Sequence, residues 1–151
     1  EAFRQYPAVF DQAKAKLADR LVHSGYQPSR DEYVAALKQM DVVVSTAWHE
    51  FFGLAVMEAA SAGCMPVLPR RLVYPELFDE PAFFYEGTVA SLVERLSQIA
   101  VQKQRGDDLS TCRATAHQTA ANHHWPHAAQ RLDEAIESLA KHPVASRDDL
   151  A

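Results

Sequence analysis

The stretch that decides the fold is Asp41-Val42-Val43-Val44-Ser45-Thr46-Ala47-Trp48-His49-Glu50-Phe51-Phe52-Gly53-Leu54-Ala55-Val56-Met57-Glu58-Ala59-Ala60-Ser61-Ala62-Gly63. Asp41 to Ser45 is a short β-branched run that reads as a strand buried on both faces. Gly53 to Ala62 is apolar on every side but for Glu58, which reads as a helix packed between other layers and stopped by Gly63. A carboxylate in such a helix needs a hydrogen-bonding partner, because a buried charge is costly without one. Thr46 to Phe52 is then the strand-to-helix loop, and Gly53 is the point where backbone can approach a ligand closely. In open α/β sheets ligands sit at the carboxyl ends of strands, where the N–H groups of the next helix attract phosphate.

Outward from this unit, Phe3 to Ala18 has helical spacing, with the helix expected from about Pro7. Arg20 to His23 reads as a short strand closed by Ser24-Gly25. Ser29-Arg30-Asp31-Glu32 is a capping box opening a helix through Met40. After Gly63, Met65 to Leu68 reads as a strand ended by Pro69, and Phe83 to Tyr85 as another. Helices are expected over Thr88–Lys103, about Asp108–Asn122 and Pro126–Ala140, with a frayed tail from Lys141. Strands alternating with helices imply a parallel α/β sheet.

Composition excludes several classes. The 151 residues make one ordinary domain, and 48% hydrophobic with 23% charged residues can build a globular core. No apolar run is long enough to span a membrane, and no leader precedes the first helix, so a cytoplasmic setting without membrane contact is expected. Two cysteines, Cys64 and Cys112, without metal-ligand spacing read as reduced, structural thiols. His117, His123, His124 and His127 cluster in sequence, but no carboxylate or cysteine completes a metal set. With a net charge of −5, nucleic-acid contact would need a local basic patch, and Arg70-Arg71 is the only adjacent basic pair.

Glu50 and Glu58 stand as E-x7-E within His-Glu-Phe-Phe-Gly-Leu-Ala-Val-Met-Glu, and Leu72-Val73-Tyr74-Pro75-Glu76-Leu77 follows. The two blocks together resemble the donor-binding motif of retaining glycosyltransferases of the GT-B fold, in particular the branch of the tRNA-queuosine α-mannosyltransferases and their bacterial relatives. The resemblance is close from Phe3 to Phe78 and rests on general pattern beyond Tyr85. It implies an α/β fold, a Rossmann-like parallel sheet flanked by helices, as part of a C-terminal sugar-nucleotide-binding domain over residues 1–140. The sheet would be incomplete, with the chain starting mid-domain, and in the strand order 3-2-1-4-5-6 absent strands would separate the His23 strand from the others. A fragment of this kind would self-associate through exposed edges and have little activity alone.

The resemblance also implies roles. Glu58 would bind the ribose hydroxyls of a sugar nucleotide, as an acceptor-only carboxylate can. Glu50 would accept hydrogen bonds from the transferred sugar, with His49 beside it as a candidate acid or base. Backbone N–H groups of Phe52 to Leu54, on a loop with Phe51, would face the diphosphate, and Gly25 and Tyr26 would lie by the nucleobase. The implied reaction moves a hexose, mannose from GDP-mannose, to a hydroxyl acceptor such as queuosine in tRNA. It uses no metal and no cofactor beyond the donor. The acceptor domain and a diphosphate-clamping basic pair would lie upstream of Glu1. Other readings of the residues stay open: Glu58 in an ion pair with Arg70 or Arg71, Glu50 as a solvated loop residue, and His49 as a hydrogen-bonded loop histidine. Trp48, Phe51 and Phe52 read more readily as core and pocket wall than as a stacking platform. Tyr74-Pro75-Glu76 either shapes the loop over the donor pocket or starts a short helix. At the level of the whole protein, a non-catalytic module, or an epimerase- or phosphorylase-like enzyme, shares the fold.

Overall fold

The computed structural model describes residues 8–141; the expected Pro7 start and almost all of the tail fall outside them. The chain divides into two compact units between Tyr33 and Val34.

In the first unit, α1 (Val9–Leu17) runs into a single 3-10 turn at Ala18–Arg20. The strand expected at Arg20–His23 does not form. Arg20 closes the turn and Leu21 is extended, with φ −89° and ψ 105°, but an extended chain becomes a strand only when a neighbour takes its N–H and C=O groups, and among the described residues none pairs with it. Ser29 starts α2 (Arg30–Lys38) as expected: its Oγ accepts the Glu32 N–H at 3.2 Å and donates to Glu32 Oε2 at 2.9 Å. The helix crosses the division between the units.

The second unit is a parallel α/β layer. Strands β1 (Val42–Val44), β2 (Met65–Pro69) and β3 (Phe84–Tyr85) lie in the order β1-β2-β3, paired in register Val42↔Met65 and Leu68↔Phe84. Between them come α3 (Leu54–Ser61) and α4 (Tyr74–Leu77), and after them α5 (Val89–Arg105), α6 (Ser110–Asn122) and α7 (Trp125–Lys141). β2 is buried throughout although it is central and holds a proline. Met65 and Val67 turn their backbone groups to β1, with Met65 N–H on the Asp41 carbonyl and Ser45 N–H on that of Val67. Pro66 therefore faces the β3 side at a level below Phe84, so its missing N–H removes no ladder bond.

β1 is less covered than its sequence suggests. As the sheet's edge strand it leaves Val42 and Val43 half-buried and Val44 41% exposed. α3 also corrects the expectation of burial on all sides. Val56, Met57, Ala59 and Ala60 pack inward, while Leu54, Glu58 and Ser61, spaced by four and three along one stripe, are exposed or half-buried. Glu58 stands half-buried on that stripe. α6 lays Ala116 and Ala120 on the core, and α5 adds Ile99. Phe78 and Phe83 meet edge to face at 5.8 Å. At the amino end of the strands, Asp41 forms ion pairs with Lys103 and Arg113, and the Arg113 Nε–H donates to the Gly63 carbonyl at 2.6 Å, tying α6 to the α3–β2 turn.

Candidate functional site

At the carboxyl edge of β1 and β2 the chain makes two loops, Ser45 to Gly53 and Arg70 to Val73. Gly53 begins α3 in the left-handed region, at φ 75°, which a residue with a Cβ adopts only at a cost. The Cβ would also stand 3.0 Å from Tyr74 Cε1. Glu50 folds back onto this start. Its Oε1 accepts the N–H groups of Gly53 at 2.8 Å, Phe51 at 3.0 Å and Phe52 at 3.3 Å. These bonds, that of Gly53 foremost, hold the Glu50 carboxyl below the ordinary carboxylate range against the opposing effect of burial. The carboxylate takes the N–H groups of Phe52 and Gly53 for the protein's own loop. The helix itself leaves open those of Leu54, Ala55 and Val56.

Tyrosines brace the loop from beneath. The Tyr74 and Ser45 hydroxyls share a hydrogen bond of 2.7 Å, and the Tyr85 hydroxyl donates to the Ser45 carbonyl at 2.9 Å. Burial raises the Tyr74 phenol pKa, with the Ser45 bond opposing and the Glu50 charge adding to it. Tyr74 is the first residue of α4 with Pro75 next, so the Tyr-Pro-Glu segment both starts a helix and shapes the loop.

The loop's aromatic residues are not the core expected of them. Phe51 is 96% and Trp48 74% exposed, and Leu54 beside them is exposed too. Phe52 is less so, and its ring meets that of His123 on α6 edge-on, with the ring centres 6.0 Å apart. His49 is exposed next to Glu50. Arg70 pairs with Glu86 at 3.2 Å, and Arg71 donates to the Ala47 carbonyl at 3.1 Å. Gly25 and Tyr26 belong to the first unit. Gly25, at φ 107°, accepts a bond from His23 Nε2 at 2.9 Å and borders an open apolar groove of about 310 Å³ with Phe10, Leu17 and Leu21, while Tyr26 is exposed. Among the described residues, no group of His, Cys, Asp or Glu is placed to hold a metal ion, and no helix is long and apolar enough to cross a membrane.

Sequence reasoning missed Ser45 and Tyr85, and saw Arg71 only as half of a basic pair and a possible partner of Glu58. The signal for Tyr74 was the Tyr-Pro-Glu block.

A parallel sheet whose carboxyl edge carries a glycine-started helix, a capped acidic loop and a second carboxylate on the exposed helix stripe belongs to the class of α/β domains that bind ligands at that edge. The chain belongs to the family of glycosyl transferases group 1, which it matches over residues 8–111. It is 45% identical to the tRNA-queuosine alpha-mannosyltransferase of Drosophila melanogaster over 96 residues, covering 64% of this chain and 25% of that protein. It is 24% identical over 146 residues to the GDP-mannose:cellobiosyl-diphosphopolyprenol alpha-mannosyltransferase of Xanthomonas oryzae pv. oryzae (strain PXO99A), covering 91% of this chain and 38% of that protein. The chain thus spans between a quarter and two fifths of these relatives. No solved structure matches it.

Proposed function

We propose that this chain is the donor-binding part of a retaining glycosyltransferase that moves mannose from GDP-mannose to a hydroxyl acceptor, queuosine in tRNA. The observation that carries the reading is the division of Glu50: Oε1 is saturated by three loop N–H groups, which leaves Oε2 to accept hydroxyls of the transferred sugar. His49, exposed on the same loop, offers an imidazole beside it. The N–H groups of Leu54 to Val56 and the positive end of the α3 dipole face the diphosphate, while Phe51 and Phe52 flank it. Glu58, one turn further along the exposed stripe from Leu54, takes the ribose hydroxyls. Both relatives carry mannosyltransferase names, one specifying the GDP-mannose donor and the other the tRNA acceptor. A chain with 20 acidic against 15 basic residues leaves most of the grip on RNA to other parts of the enzyme.

Calorimetric titration of GDP into the wild-type chain and its Glu58→Gln variant tests the reading. Loss of a hydrogen bond to a charged group should weaken binding by about 1 to 3 kcal/mol. Equal affinities with a large drop in melting temperature would assign Glu58 to the fold instead.

A further inference from the structure

Arg71 is held in a place that stability alone does not account for. After β2 ends at Pro69, the Arg70 N–H donates to the Tyr85 carbonyl and the Arg71 N–H folds back onto the Pro69 carbonyl at 2.7 Å. Leu72 then adopts φ 59°, the one non-glycine residue at positive φ among those described. A branched residue there is strained, and such strain persists only where the surroundings demand it. The result is that the Arg71 side chain crosses from the end of β2 to the loop after β1. Its Nη2 donates to the Ala47 carbonyl at 3.1 Å, and its Cζ lies 4.2 Å from the centre of the Trp48 ring. On the other side Nη1 lies so close to Gly87, at φ 74°, that a Cβ there would stand 2.9 Å away. Its Nε is buried without an acceptor, an arrangement that costs free energy.

We propose that Arg71 is a positioning residue: a planar clamp that holds Ala47 and Trp48, and with them the loop presenting His49 and Glu50, in the geometry that receives the donor. This rests on the donor-site reading above. Only a guanidinium fits the task. Its fork donates in plane while its face stacks on the indole, whereas a lysine ammonium is a point charge that can do one or the other. Gly87 leaves the room the fork needs.

The test uses the full chain in a Trp125→Phe background, which leaves Trp48 as the only indole of the two tryptophans. Acrylamide quenching of Trp48 and calorimetric binding of GDP are compared for wild type, Arg71→Ala and Arg71→Lys. Trp48 is already 74% exposed, so removing the guanidinium from its face should raise quenching by up to about a third in both variants, and GDP should bind about tenfold more weakly. Arg71→Lys keeps the charge and most of the stem, and it decides the matter if Arg71→Ala fails to melt cooperatively. A lower melting temperature with unchanged quenching and affinity would overturn the proposal, and so would recovery of both in Arg71→Lys. If wild type binds no GDP, the donor reading falls. Trp48 quenching then judges the clamp alone, a rise supporting it and constancy overturning it.

Discussion

Replacing Gly53 by alanine probes the joint on which the site turns, and the molecule holds its own control. Gly53 and Gly106 have nearly the same backbone, at φ 75° and φ 78°, but a Cβ at Gly106 would meet nothing within 4 Å whereas one at Gly53 would stand 3.0 Å from Tyr74 Cε1. The left-handed conformation costs alanine about 1 to 2 kcal/mol, and the stiffer unfolded chain returns about 0.4 to 1. Gly106→Ala should therefore destabilise by about 0.5 to 1 kcal/mol. At Gly53 the contact adds to this. The Tyr74 ring is buried and its hydroxyl tethered to Ser45 at 2.7 Å, so it cannot retreat, and overpacking of this kind costs about 1 to 3 kcal/mol. The total for Gly53→Ala is about 1.5 to 4 kcal/mol, which lowers the melting temperature by roughly 3 to 16 °C for a chain of this size. Urea denaturation of the two variants gives the comparison directly. Adding Tyr74→Leu should recover part of the loss in Gly53→Ala and none in Gly106→Ala, as coupled neighbours do. If Gly53→Ala proves no worse than Gly106→Ala, the close packing of Tyr74 against the start of α3 is not what holds the loop.

Thr88 accepts the Ser91 N–H at 3.1 Å in a capping box at the start of α5, so Thr88→Ala should cost about 1 kcal/mol by urea denaturation, most of it recovered by Thr88→Ser. Glu50 gives a pH dependence. Its carboxyl pKa is lowered in the folded state, so its contribution is complete above the unfolded value of about 4.3 and is lost as pH falls through the lower folded value. Acid titration of melting temperature should therefore show a smaller fall below about pH 4 in Glu50→Gln than in wild type; parallel curves would mean that the three N–H bonds do not favour the charged form.

Local chemistry wrote much of this fold into the sequence. Ser29 with Glu32, Thr88 at the head of α5, the valine run of β1 and Gly53 at the head of α3 each act within a few residues, so a linear reading finds them. The sequence misled where the deciding partner lies far along the chain. Leu21 to His23 has strand composition, yet a ladder needs a neighbour and composition does not supply one. Val44 is as apolar as Val67, and only the strand order makes one an edge residue and the other core. Trp48 and Phe51 stand exposed on a loop held by hydrogen bonds to Glu50 and from Arg71, which their apolar character does not report. Arg71 to Ala47 and Tyr85 to Ser45 span 24 and 40 positions, and no periodicity reports such bonds. The E-x7-E spacing was legible because helix geometry converts it to position: one glutamate before the helix start, the other on its exposed stripe.

Placing Glu50 at the head of α3 has an electrostatic consequence. A helix N-terminus carries roughly half a positive charge, and the Glu50 carboxylate already answers it through three N–H bonds. An incoming diphosphate therefore meets a helix end that is ordered but partly neutralised, with a like charge close by. On the proposed reading it gains the N–H groups of Leu54 to Val56, and it needs a cation to offset the repulsion. Arg70 and Arg71 stand nearest in sequence to this edge, but Arg70 is paired with Glu86 and Arg71 is turned onto Ala47 and Trp48. Arg71 thus holds the loop while Glu50 fixes its backbone, and on the proposed reading the charge that balances the diphosphate falls to groups other than these two arginines. On the proposed reading, organising the loop before the donor arrives spares the ordering cost at binding, and a pre-organised acceptor such as Glu50 Oε2 would meet a sugar hydroxyl without first rearranging.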